Sequence, residues 1–320
     1  MSQRNSDAIS STLAIRPQLA TRVRELTLNS VKGHHRPPKH LQLSGLQRLR
    51  LVDVDLSDPW VCVAVATSAP SLRELSLRDC SADDAAAFHS LIGRLTQLRH
   101  LNVERCRSGS YDQSIVPNVS IPTLLSLSLI NNEPRDVSTA TVVQALIEHP
   151  MAFQTVRFLD IGIASGNLSS FNEFLRAVGP SLRELRVRVI PETVSTPLPL
   201  TPANCSELRL LEFKMELRRS AQGMDPLSWV PALLDTVRAP KLRLVKFVIK
   251  AQSAACKDLV AFDWDKVACT LQEERFASVC EVLFHIHHAK DTAASFIRTR
   301  LGALPNNRGL RIVQRATSSK

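Results

Sequence analysis

The chain has 320 residues, of which 44% are hydrophobic and 22% charged, and 40 Lys/Arg against 30 Asp/Glu give a net charge of +10. This is the composition of a globular chain with a sizeable core, and no apolar run approaches the ~20 residues of a membrane-spanning helix. The excess charge lies at the ends: residues 1–50 carry +7 and residues 302–320 carry +4, leaving −1 between them, which weakens the case for a nucleic-acid surface over the whole molecule.

The opening MSQRNSDAISSTLAIRPQLA has no apolar signal core. Residues 1–20 are therefore expected to be a flexible basic segment, 21–315 one repeat domain, and 316–320 a flexible tail. The seven cysteines form no CxxC pair, which argues against a zinc site or a disulfide framework. A reducing compartment, the cytoplasm and/or nucleus, is the expected location.

From residue 23 onward, the pattern apolar-x-x-apolar-x-apolar recurs ten times. The copies are VRELTL at Val23, LQRLRL at Leu46, LRELSL at Leu72, LRHLNV at Leu98 and LLSLSL at Leu124. They continue as VRFLDI at Val156, LRELRV at Leu182, LRLLEF at Leu208, LRLVKF at Leu242 and VCEVLF at Val279. The steps are 23, 26, 26, 26, 32, 26, 26, 34 and 37 residues. The last two apolar positions of each copy alternate with polar ones, which is the period of a strand. Leu75 and Leu77 should then face the core while Ser76 and Arg78 face out.

Stretches between the copies have helical spacing. SADDAAAFHSLIGRL offers Ser81 as a helix cap and places Phe88, Leu91, Ile92 and Leu95 on one face. STATVVQALIEH, NLSSFNEFLRAV and LSWVPALLDTV follow the same logic, and Pro70, Pro150, Pro180 and Pro240 stop the helical pieces before the next strand. Longer insertions are expected at 133–153, 190–206 and 217–240, with PETVSTPLPLTPANCS (Pro191 to Ser206) as a loop. A doubly wound nucleotide-binding domain would carry a glycine-rich phosphate loop. With ten glycines and neither GxGxxG nor GxxxxGK[ST], the sequence has none. The expected fold is an α/β leucine-rich-repeat solenoid of about ten repeats, with a curved parallel sheet inside and helices outside.

LRELSLRDC (Leu72 to Cys80) and LRHLNVERC (Leu98 to Cys106) match LxxLxLxxC. This resembles the cysteine-containing leucine-rich repeat of F-box proteins, in which the cysteine is a buried thiol at the bend leaving the strand. The runs Trp229 to Ile249, Phe262 to Ile286 and Leu304 to Val313 look like the C-terminal repeats of F-box/leucine-rich-repeat proteins of mushroom-forming fungi. The resemblance implies a substrate-recognition or adaptor protein like the repeat half of an SCF ubiquitin-ligase receptor. Only 22 residues precede Val23, without the leucine–proline-rich opening of an F-box. Skp1 and cullin are thus expected partners only if an F-box is missing from this sequence; otherwise the partner is an unidentified protein.

No GxSxG, HExxH or kinase signature occurs, so no enzyme is expected, and no cofactor. His285, His287 and His288 form the best metal-like cluster, but two histidines on a solvated strand face is the preferred account. The candidate partner-binding residues are the outward strand positions Arg50, Arg78, Glu104, Asp160, Arg186, Arg188, Glu212, Lys214, Lys246 and His285. Their signs alternate in blocks, which would suit a partner of complementary charge. The alternative is a nucleic-acid-associated repeat protein using Arg16, Arg22, Arg24, Lys32, Arg36 and Lys39. No stacking aromatics interleave with that arm.

Overall fold

The computed structural model describes residues 15–29, 43–82, 85–108, 122–130, 154–163, 168–189, 200–217, 229–251, 262–287, 291–301 and 309–315. The chain divides into two compact units, Met1–Val156 and Arg157–Lys320. All ten sequence copies become parallel strands, each beginning two residues after the copy's first apolar residue. In the first unit these are β1 (Glu25–Asn29), β2 (Arg48–Val52), β3 (Glu74–Arg78), β5 (His100–Glu104) and β7 (Ser126–Ile130), with the two-residue strands β4 (Ser81–Ala82) and β6 (Arg107–Ser108) beside them. In the second they are β8 (Phe158–Ile163), β9 (Glu184–Val189), β10 (Leu210–Leu217), β11 (Leu244–Ala251) and β12 (Glu281–His287). The leucine-rich-repeat fold class read from the pattern is the one observed.

Sequence step and spatial register coincide. Glu74 faces His100 and His100 faces Ser126, 26 residues apart each time, and Phe158, Glu184 and Leu210 repeat the spacing. The longer steps keep the ladder in phase, pairing Leu210 with Leu244 and Leu244 with Glu281. A slip of one residue would turn every buried leucine outward, so the apolar alternation pins the register whatever the connection length.

The structure adds a strand to the expected ten. β13 (Gly309–Arg315) pairs in parallel with β12, Leu283 facing Arg311. The pattern missed it because Asn307 stands where a repeat's first apolar residue would be.

A short helix α1 (Pro17–Ala20) precedes β1, and helices follow later strands as α2 (Pro59–Ser68), α3 (Ala85–Gly93), α4 (Leu168–Val178), α5 (Trp229–Thr236), α6 (Trp264–Gln272) and α7 (Asp291–Leu301). Ser81 is not the cap of α3. It lies in β4, its N–H donating to Val54 O and its carbonyl accepting from Leu56 N, because the chain continues a second small ladder before turning helical. The expected helix in 138–149 and the insertion 133–153 lie outside the described residues. The expected loop at 191–206 is described only from Leu200, where Thr201, Asn204 and Ser206 are exposed, Leu200, Pro202 and Cys205 are buried, and Thr201 N donates to Asn172 Oδ1 on α4.

The exits of β2, β3 and β5 each have one left-handed residue, Asp53 (φ 52°), Asp79 (φ 54°) and Arg105 (φ 51°), again 26 apart. This conformation bends the chain out of the sheet, and aspartate tolerates it better than most residues. Their N–H groups keep pairing with the next repeat, Asp53 N to Arg78 O, Asp79 N to Glu104 O and Arg105 N to Ile130 O. Cys80 and Cys106 follow directly, both buried as expected, and Cys80 Sγ donates to Leu51 O at 3.5 Å. Arg105 forks onto Asp79 with both N–H···O contacts near 2.5 Å and holds that carboxyl below its usual pKa.

Between sheet and helices the leucines are sealed, Leu49, Leu75, Leu101, Leu127, Leu185 and Leu211 among them. In the second unit the inward column widens to aromatics: Phe213 stacks on Phe247 (5.1 Å) and Phe247 on Phe284 (4.6 Å). Trp229 and Trp264, at the starts of α5 and α6, pack against Phe213 and Phe284. In three copies the hydroxyl just before the first apolar residue ties it to the previous copy. Ser71 donates to Leu46 O, Thr155 to Leu124 O and Ser278 to Leu242 O.

Candidate functional site

The strand face opposite the helices carries the side chains between the buried ones, in rows fixed by the register. In the first unit one row runs Glu25, Arg48, Glu74, His100, Ser126 and the next runs Thr27, Arg50, Ser76, Asn102, Ser128. Arg48 bridges Glu25 (3.2 Å) and lies 3.9 Å from Glu74. Asn102 donates to Ser76 Oγ at 3.2 Å. Arg50 is exposed and its side chain makes no hydrogen bond or ion pair with a described residue. Arg78 and Glu104 face each other at 3.8 Å, so these two candidates answer one another.

In the second unit the central row is Asp160, Arg186, Glu212, Lys246, Leu283, Arg311, and the next is Gly162, Arg188, Lys214, Val248, His285, Val313. The structure brings five of the sequence candidates into two neighbouring clusters, Asp160 with Lys214 and Glu212 with Arg186 and Lys246. Lys214 Nζ reaches Asp160 at 2.5 Å, Lys246 Nζ reaches Glu212 at 2.9 Å, and Arg186 lies 3.7 Å from Glu212. The guanidinium of Arg186 also covers the Phe158 ring at 4.6 Å.

The clusters are layered by sign. The side chains of Asp160 and Glu212 are 8% and 4% exposed, while Lys214, Lys246 and Arg186 above them are 20%, 21% and 32% exposed. A carboxylate this deep persists only when paired, and each has a cationic partner, although Asp160 Oδ1 has no hydrogen-bond partner. The expectation of acidic and basic blocks both offered to a partner is therefore corrected. Asp160 and Glu212 are consumed within the wall beneath cationic side chains, while Glu184, 43% exposed, stays at the surface beside Arg186. Arg188, half-buried, and Lys250 and Arg311, both exposed, pair with no described residue and extend the cationic surface.

His285 is half-buried on β12 between Val248 and Val313, and among the described residues no group of three or more His, Cys, Asp or Glu could hold a metal. The sequence reading also missed the apolar part of the face. Val248 and Leu283 are half-buried strand-face residues among the cations, and Leu244 is half-buried between Leu210 and Glu281. The alternation that identifies the strands identifies them too, but attention to charges passes over them. Of the N-terminal arm, Lys32, Arg36 and Lys39 lie outside the described residues, and Arg24 is engaged with Gly45 O at 3.0 Å. No described helix is long and apolar enough to cross a membrane.

Comparison with family models finds no match, and none of the curated proteins matches. Among solved structures, the chain is similar to a Bacteroides fragilis protein at 10% identity and a TM-score of 0.41, over 86% of this chain and 67% of that one. It is also similar to a leucine-rich-repeat protein of Leptospira interrogans at 11% identity and a TM-score of 0.27, over 93% of this chain and 98% of that one.

Proposed function

We propose that the chain is a protein-interaction module that presents the strand face of its second unit to a protein partner. Its wider role is that of a substrate-recognition or adaptor protein like the repeat half of an SCF ubiquitin-ligase receptor. It has no catalysis of its own and works in the cytoplasm and/or nucleus. The observation that supports the reading is the layering of the face. Two buried acids hold three lysine and arginine side chains upright, and Arg188 and Lys250 stand clear on the same face, with Val248 and Leu283 among the cations. Fixed cations interleaved with aliphatic surface give a partner both charge steering and an apolar area to bury.

The test is affinity purification from the source cells with the wild-type chain and with Arg188→Glu/Lys250→Glu. A set of proteins recovered by the first and lost with the second supports the reading. Skp1 and cullin in that set support the ligase branch. An identical set with both chains, or no reproducible protein at all, overturns it.

A further inference from the structure

The second unit carries another basic feature, off the strand face. The residue just before each strand is Arg157, Arg183, Arg209 and Arg243 in four successive repeats. They occupy consecutive rungs: Arg183 N donates to Arg157 O (2.9 Å), Arg209 N to Arg183 O (2.8 Å) and Arg243 N to Arg209 O (3.0 Å). All four are exposed, and none makes a side-chain hydrogen bond or ion pair with a described residue. Strands lie about 4.8 Å apart, so the four guanidinium stems line an edge about 14 Å long.

Four like charges at this spacing repel one another and are relieved by an anionic occupant. The chain itself supplies a partial example. Glu207 ion-pairs with Lys241 at 2.5 Å, and its carboxyl is held below its usual pKa first by Lys241 and further by the fields of Arg209 and Arg183. Next to the arginines, on the first row of the strand face, stand Phe158, Glu184, Leu210 and Leu244, all half-buried. Arg186 covers Phe158, so the aliphatic side chains Leu210 and Leu244 form the accessible apolar strip beside Arg209 and Arg243.

We propose that this edge binds an extended acidic segment of a partner protein in which acidic and apolar residues alternate. An extended chain sends alternate side chains to opposite sides. One side brings carboxylates to the arginine forks, which match them in a bidentate way, and the other lays apolar side chains on Leu210 and Leu244. About five residues at ~3.3 Å each cover the edge. A single-stranded nucleic acid would satisfy the charge but needs aromatic faces for its bases, and the strip offers leucines. The proposal rests on the reading of the chain as a protein-interaction module and names a partner's chemistry.

The experiment is fluorescence anisotropy with the full chain and a labelled ten-residue peptide of alternating Glu and Leu. The comparison probes are a peptide of alternating Lys and Leu, a peptide with the Glu and Leu residues in two blocks, and a ten-nucleotide single strand. Arg183→Gln/Arg209→Gln is expected to weaken the alternating acidic peptide at least tenfold and to flatten its salt dependence. The block peptide and the Lys peptide are expected to bind more weakly than the alternating acidic one. Circular dichroism confirms that the variant is folded. Equal binding by wild type and variant, tighter binding of the oligonucleotide, or no binding of the acidic peptide overturns the edge. A strand-face variant, Arg188→Gln/Lys250→Gln, separates the two readings. If it abolishes peptide binding while the arginine-edge variant does not, the edge proposal falls and the strand face stands.

Discussion

Lys214 on β10 passes over β9 to meet Asp160 on β8, Nζ to Oδ2 at 2.5 Å. A contact that spans two strands makes the lysine part of the wall's construction. Replacing Lys214 by Met leaves a carboxylate, 8% exposed, with no counter-charge, and its Oδ1 already has no hydrogen-bond partner. The expected cost is about 3 kcal/mol, the scale for one half of a buried pair removed. Arg188→Met should cost under about 0.5 kcal/mol, since that side chain pairs with no described residue. Urea denaturation of the two variants checks the contrast, and equal midpoints would show that the pair contributes nothing.

Phe247 sits between Phe213 and Phe284 in the aromatic column, fully buried. Phe247→Ala opens a cavity in the middle of that stack and should destabilise the chain by about 3–5 kcal/mol. Phe247→Leu keeps most of the volume and should cost less than half as much. Thermal melts that rank the two substitutions the other way would refute the packing account.

Asp79 combines a left-handed backbone with the Arg105 fork. Its folded pKa lies below the unfolded value, so its contribution is complete above about pH 4 and is lost as pH falls through the lower, folded value. Because the side chain is 37% exposed, solvent screening keeps that contribution under about 1 kcal/mol. Asp79→Asn retains tolerance of the left-handed conformation and removes only the charge. Its deficit relative to wild type should be full at pH 7 and shrink as the pH falls below about 4. Asp79→Ala adds backbone strain of roughly 1 kcal/mol at both pH values. Stability measured at pH 2 and pH 7 resolves the two effects.

The cysteines divide by exposure. Cys269 and Cys280 are exposed, whereas Cys80, Cys106 and Cys205 are buried. Burial pushes the Cys205 thiol up to about 12, and the hydrogen bond shared with Cys80, together with burial, raises that of Cys106. Alkylation at pH 8 followed by peptide mapping should label Cys269 and Cys280 within minutes. The three buried thiols should react only in denaturant. Labelling of Cys80 or Cys106 in the native chain would contradict their place at the strand exit.

The sequence made the strands legible because two apolar residues per repeat are buried by the same pleat every time. Leu75 and Leu77, or Leu185 and Val187, could hardly face elsewhere. It hid β13, whose first consensus position is Asn307, and it misplaced Ser81, whose preference for helix caps lost to a backbone ladder. Of the candidate face, its residues and their direction could be read. What could not be read was depth: Asp160 and Lys246 both look like outward charges in a period-2 pattern. Only the neighbouring strands decide that the aspartate is covered and the lysine does the covering. Arg157, Arg183, Arg209 and Arg243 were visible as letters in each copy, but position after a buried residue says nothing about an edge until the strands are stacked.

The in-phase register and the evenly spaced left-handed exits of the first unit have a consequence for how such a chain grows. Residues 74–99 behave as a unit cell: cutting the chain just before Glu74 and just before His100 leaves ends that meet in the same geometry. Unequal recombination between repeats of this length would lengthen or shorten the first unit by whole rungs without disturbing a hydrogen bond on either side. The 34- and 37-residue steps of the second unit break that interchangeability from β10 to β12, so Lys246, Arg243 and the aromatic column lie on rungs that cannot be exchanged with their neighbours.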